Sequence, residues 1–225
     1  MSILQSLLEE SAAHHNHLCP RQVLGVRMGL LAGNLLGMKL PQTKKLMYTF
    51  VESDGCGMGG ISTATGCKER RRTLRVLDFG KLAATFVELA NGRSLRIYPH
   101  PQAREKAIAA LPNVRGRWQR QLQAYQFLSD EDLFVVQPVR LTVSMKKIIS
   151  RPKLRVNCNS CGEEIGNERE IIQNGYTLCR SCAGESYYQI ELDPAFTETH
   201  ESILVPKTNG SMNHVYSNHH HYQQV

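Results

Sequence analysis

The sequence predicts an α+β protein: a core of mixed helix and sheet over residues 1–145, then a small four-cysteine module over 156–190. Three observations predict it. Apolar residues recur at helical spacing in 3–14, 22–36, 101–111 and 117–128, between stretches that read as strands at 45–52, 73–77, 82–90, 93–98 and 133–143. Asn91-Gly92 lies between two of those strands and is a strong signal for an antiparallel hairpin, so helices and hairpin strands share one core. Last, Cys158-x2-Cys161 and Cys179-x2-Cys182 frame a segment too short to stand on an apolar core alone. Residues 146–155 read as a basic, proline-containing linker, and 191–225 as a polar, disordered tail.

The first helix carries Ile3, Leu4, Leu7, Leu8 and Ala12 on one repeat and delivers the chain to His14-His15-Asn16-His17-Leu18-Cys19-Pro20. His15, His17 and Cys19 stand at i, i+2 and i+4, so an extended segment would turn all three toward one point. Pro20 disfavours helix at the residue before it and suits the first turn of the helix that follows. Cys19 would then hold its sulfur at the positive end of a helix dipole. Two imidazoles and a thiolate suit zinc or another transition metal of similar softness.

In the second helix Gly25, Gly29, Gly33 and Gly37 recur every four residues and form a smooth strip. Each interior glycine weakens a helix by about 1 kcal/mol relative to alanine. Such a strip implies close packing on a sheet or a subunit partner, and a homodimer is the expectation. The next strand, 45–52, ends in Gly55-Cys56-Gly57-Met58-Gly59-Gly60, which fits the dinucleotide pattern G-x-G-x-x-G. A helix starting at Ile61 would be stopped by Gly66 and is too short for a crossover between parallel strands. The glycines are therefore read as a sharp turn that presents Cys56 beside the His/Cys stretch. Cys56 would complete a four-ligand set with His15, His17 and Cys19, and Cys67 is the second candidate. Four protein ligands would make the site structural; three and a water would make it catalytic. In the catalytic case the Cys19 thiolate or a metal-activated water is the nucleophile, with Asp54 and Glu52 as the nearest proton carriers.

Within the C-terminal module, Ile171-Ile172-Gln173 and Tyr176-Thr177-Leu178 flank Asn174-Gly175, a second hairpin signal. That hairpin brings the second cysteine pair back to the first, as a closed S₄ zinc ribbon with Zn–S bonds of about 2.3 Å requires. A rubredoxin-like iron site is the minor alternative. The ribbon's metal is expected to be structural and to supply much of its folding energy. His219, His220 and His221 read as a flexible tract rather than a site.

Charge and composition narrow the classes. The net charge is +7, concentrated in residues 1–150, which hold 21 Lys and Arg against 11 Asp and Glu. The ribbon is close to neutral, so nucleic-acid binding is not favoured. The most apolar run, 23–40, contains Arg27, Asn34 and Lys39, which argues against a membrane span. The first ten residues lack the basic start and apolar run of an export signal, so a cytoplasmic location is expected. Seven cysteines then point to metal or thiol chemistry rather than to disulfides.

His15-Asn16-His17-Leu18-Cys19-Pro20 with Gly25, Val51 to Cys56, Thr65-Gly66-Cys67 and Asp78-Phe79-Gly80-Lys81 together resemble the FmdE family, named for a component of formylmethanofuran dehydrogenase. A zinc ribbon is a common C-terminal companion in that family. The resemblance implies a metal-binding protein linked to one-carbon metabolism, with a molybdenum or tungsten enzyme or a small molecule as partner. It does not imply the dehydrogenase activity itself. Two departures stand out: Gly59 replaces an aspartate of the pattern, and Lys68-Glu69-Arg70-Arg71-Arg72 replaces a Gly/Asn-rich stretch. A zinc-ribbon regulator or adaptor for a protein or nucleic-acid partner is the alternative.

Overall fold

The computed structural model describes residues 2–149 and 154–189. The chain divides into two compact units, Met1–Ser150 and Arg151–Val225. The expectations for the tail, the His219–His221 tract included, lie outside the described residues.

The first unit opens with two helices. Helix α1 (Ile3–Ala13) is capped by Ser2, whose Oγ accepts from the Gln5 N–H at 3.2 Å. Helix α2 (Pro20–Leu36) starts at Pro20, with Cys19 as its N-cap, and ends at Gly37 in the left-handed region. Strand β1 (Met47–Val51) leads to helix α3 (Cys56–Thr65), then to the short strand β2 (Leu74–Val76). The hairpin strands β3 (Ala84–Glu88) and β4 (Ser94–Pro99) follow, then helices α4 (Ala103–Ala110) and α5 (Arg117–Ala124). A one-turn helix α6 (Asp130–Leu133), strand β5 (Phe134–Pro138) and a one-turn helix α7 (Met145–Ile148) close the unit. The strands order as β2-β1-β3-β4-β5, with β1 and β2 parallel and the other pairs antiparallel. Mixed helix and mixed sheet make it α+β, as the sequence predicts.

Strand alternation assigns the two faces of the sheet. Met47, Val51, Phe86 and Ile97 join Val23, Val26, Met28 and Ile61 of α2 and α3 in the main core. Tyr48, Phe50 and Val87 face the other way, against Leu141, Met145 and Ile148. Composition reads 146–155 as linker, but α7 packs there because Met145 and Ile148 share one helix face. Arg75 holds the segment down by donating to the Ile148 carbonyl at 3.0 Å.

Three further elements differ from their sequence reading. The loop at Asn91-Gly92 spans residues 89–93, and of its residues only Gly92 (φ 75°) has positive φ, so it is not a two-residue turn. The last strand covers 134–138 rather than 133–143: α6, capped by Ser129 whose Oγ accepts from the Asp132 N–H at 3.2 Å, takes Leu133, and the pairing with β4 ends at Pro138. The glycine strip, finally, packs in part on α3 rather than on the sheet: Gly25 and Gly29 face α3, while Gly33 meets Leu40 and Gly37 ends α2. A Cβ on Gly25 would lie 2.2 Å from the Gly57 carbonyl oxygen, and one on Gly60 would lie 2.4 Å from that of Gln22. The two helices meet backbone to backbone, which glycine alone permits. That contact sets the separation between the starts of α2 and α3.

The second unit is built from two hairpins. Strand β6 (Arg155–Asn157) pairs with β7 (Glu164–Gly166), and β8 (Ile171–Gln173) with β9 (Tyr176–Leu178). Asn174 (φ 53°) and Gly175 (φ 80°) both adopt positive φ, the backbone of the expected tight turn.

Candidate functional site

The ribbon cysteines assemble as their spacing requires. The metal-binding atoms of Cys158, Cys161, Cys179 and Cys182 all lie within 4.8 Å of one another. Cys161 Sγ and Cys179 Sγ are 3.9 Å apart, against about 3.8 Å for two sulfurs of a zinc tetrahedron. Backbone N–H groups point at the sulfurs: Cys179 N–H donates to Cys158 Sγ at 3.3 Å, and Cys182 N–H to Cys179 Sγ at 3.4 Å. Gly162 (φ 77°) forms the turn after the first pair. The two halves are tied by Asn159, whose N–H donates to the Thr177 carbonyl at 2.7 Å while its Oδ1 accepts from Thr177 N–H at 2.6 Å.

These thiols divide in ionisation. Burial pushes Cys158 up, but the N–H groups of Cys161, Cys179 and Ser160 outweigh it and bring it down to about 6. Cys161 goes the other way, to about 12, because burial and the neighbouring thiols Cys158, Cys182 and Cys179 resist a second negative charge. A divalent cation removes that conflict by replacing the protons, and the donor set fits zinc.

The His/Cys region follows a different plan. Residues 14–17 form a turn, with His15 N–H donating to the Ala12 carbonyl at 3.0 Å and Asn16 in the left-handed region (φ 60°). The segment is not extended, so alternation does not aim His15, His17 and Cys19 at one point. The physical reason is length: only residues 14–19 separate α1 from α2, and the two helices pack together. His17 is exposed and His15 half-buried.

Cys19 and Cys56 do come together. Cys19 caps α2, and Cys56 is the first residue of α3, five residues earlier than the helix start expected at Ile61. Gly55 (φ 83°) makes the turn that admits this start. Burial first, and then the hydrogen bond and charge of Cys19, push the Cys56 thiol up; nearby Arg21 opposes them. His15 reaches α3 one turn farther on: a Cβ on Gly59 would lie 2.7 Å from His15 Nε2. The imidazole thus occupies the space a side chain at position 59 would need. Among the described residues, the groups of three or more His, Cys, Asp or Glu with mutually close ligand atoms comprise the ribbon set and no His15/His17/Cys19/Cys56 set.

The other candidates separate clearly. Cys67 is fully buried, with its thiol donating to the Met47 carbonyl at 3.5 Å and pushed up by that burial. It lies beyond the far end of α3, about 15 Å of helix from Cys56, and is a core residue there. Glu52 is held by both arms of Arg96, at 2.6 and 2.8 Å, so its carboxylate is committed. Asp54 is exposed in the turn before α3. Of the glycines of the G-x-G-x-x-G pattern, Gly55 makes the turn before α3 and the other two lie inside it, where Gly57 meets Leu82 and Gly60 meets Gln22, so the pattern forms a helix start packed on its neighbours rather than a phosphate loop.

One positioning residue is absent from the sequence-based site. Gln22 is fully buried; its Oε1 accepts from Cys19 N–H at 2.8 Å, and its Nε2 donates to the Ser11 carbonyl at 3.0 Å. It ties the end of α1 to the start of α2 and fixes the Cys19 backbone. Its signal in the sequence is the N-cap to N3 spacing, Cys19-x-x-Gln22, of a capping box.

Comparison with known proteins agrees with this architecture. Residues 14–135, more than half of the chain, match the family described as "FmdE, Molybdenum formylmethanofuran dehydrogenase operon". Residues 152–188 match the prokaryotic dksA/traR C4-type zinc finger. A "Probable S-adenosyl-L-methionine-binding protein" of Archaeoglobus fulgidus is 29% identical over 210 residues, covering 84% of this chain and 55% of that protein. The chain thus spans about half the length of that curated relative. The crystal structure of an FmdE-like protein of tungsten formylmethanofuran dehydrogenase, from Syntrophus aciditrophicus, superposes with a TM-score of 0.50 at 21% identity. The match covers 83% of this chain and 95% of that one, and is a likeness of fold. The chain belongs to the FmdE family and carries a four-cysteine zinc-binding site behind the family domain. Among the described residues no helix is long and apolar enough to cross a membrane.

Proposed function

We propose that this FmdE-family chain is a cytoplasmic metal-binding protein of one-carbon metabolism, acting beside a molybdenum or tungsten formylmethanofuran dehydrogenase or on a small molecule of that system. In this reading His15, His17, Cys19 and Cys56 hold a transition metal, zinc by donor chemistry, while the ribbon zinc is structural. The observation that carries it is the meeting of the Cys19 and Cys56 thiols at two helix starts, with the His15 ring one turn along α3. Two sulfurs and adjacent imidazoles are a donor set that such a metal fits. In the conformation described, the imidazoles and sulfurs are not drawn into one cluster, so metal binding would require the rings on the 14–17 turn to rotate inward.

A metal held there would polarise a bound water or substrate oxygen. The protein's own part is to fix Cys19 through Gln22 and to offer Asp54 as the exposed proton carrier, Glu52 being taken by Arg96. A homodimer stays within this reading, but not through Gly25 and Gly29, which α3 already covers.

Metal analysis tests the site. The wild type should carry about two metals per chain, and Cys19→Ser and Cys158→Ser one fewer each. Full metal content in Cys19→Ser would remove the core-domain site and leave the ribbon alone.

A further inference from the structure

At the end of β1 opposite the Cys19/Cys56 pair, a groove of about 550 Å³ opens beside the β3–β4 turn. That volume lies within the range of small-molecule sites, roughly 300–1,000 Å³. Its accessible apolar wall comes from two elements, Leu35 at the end of α2 and Val143 with Met145 from the segment after β5, with the buried Val87 of β3 beneath them. Leu35 is 48% exposed and Val143 50%, so two large aliphatic side chains border it uncovered.

The charged part of the lining is one-sided. It holds two arginines and no acidic residue. Arg93 is already satisfied: its Nε donates to Glu88 at 2.8 Å and its Nη2 to the Leu36 carbonyl at 2.6 Å. Arg140 is exposed and has no ion pair or hydrogen bond among the described residues. An aliphatic groove whose lining includes one uncommitted guanidinium complements an apolar chain with an anionic head, since guanidinium binds a carboxylate through two parallel N–H bonds.

We infer that this groove is a second ligand site, for an amphipathic carboxylate whose chain lies along Leu35, Val143 and Met145 and whose head meets Arg140. It is independent of the metal-site reading, which concerns the other end of β1. Octanoate and n-octanol serve as probes because they share a chain and differ in the head. Calorimetric titration of the full chain should give saturable one-to-one binding of octanoate, at least ten-fold tighter than n-octanol. Arg140→Gln should bring octanoate down to the n-octanol level and leave n-octanol unchanged. Val143→Glu, an exposed position, should abolish both while circular dichroism stays that of the wild type. Octanoate affinity that survives Arg140→Gln, or absence of saturable binding, overturns the site. So does tight binding of polyglutamate with none of octanoate, which would make the groove a peptide surface.

Discussion

The two cysteine centres of this chain contrast in what holds their ligands in place. In the ribbon, short hairpins carry four sulfurs into one cluster, and Cys158 and Ile165 are its buried apolar residues among those described. In the core domain, Cys19 and Cys56 are held by a packed interior of helices and sheet that exists for its own sake. One centre is a condition of its fold; the other is a consequence of it. Spacing along the chain therefore predicts the first almost completely, while the second depends on how helices meet.

The comparison can be broken most forcefully at the ribbon. Structural zinc sites contribute roughly 10–16 kcal/mol of apparent binding free energy at neutral pH. A strong chelator should therefore unfold 154–189 outright and leave the first unit folded. Amide NMR of the full chain reads this directly: ribbon signals collapse while core signals stay. A ribbon that keeps its dispersion after metal removal would show that its hairpins fold unaided.

The core-domain side is sharpened by Gly25→Val, which drives a side chain into the Gly57 carbonyl across α2 and α3. Overpacking of this kind costs about 3 kcal/mol or more where backbone must move. Urea unfolding should register that loss, and thiol titration should find Cys56 freed from Cys19. A smaller effect separates the core thiol from the site thiols. Cys67→Ser places a hydroxyl where the thiol already donates to the Met47 carbonyl, so it should cost no more than about 1 kcal/mol, with metal content unchanged. Loss of a metal in that variant would return Cys67 to the ligand set.

Much of this architecture is legible in the sequence, and the exceptions share a cause. Asn174-Gly175 marks the ribbon turn and Gly66 the end of α3, because both depend on local backbone preference. Asn91-Gly92 carries the same signal, yet its hairpin closes through a longer loop whose length is set by the register of β3 and β4. The extended reading of 15–19 fails because it treats the segment as free, whereas α1 and α2 force it to turn. The glycine strip is plain in the sequence, but its partner is not: periodicity shows that a helix face is smooth, not what lies against it.

By itself, then, the order of residues determined the mixed class, the two-part organisation, the ribbon's ligands and the helix start at Pro20. Each follows from interactions within a few residues or from a spacing that only one metal geometry satisfies. Tertiary packing alone decided that α3 begins at Cys56, that Gly25 and Gly60 seat it on α2, and that Glu52 is taken by Arg96 while Cys67 is buried away. Those outcomes join residues far apart in the chain, and their energies exist only once the helices and sheet have closed on one another.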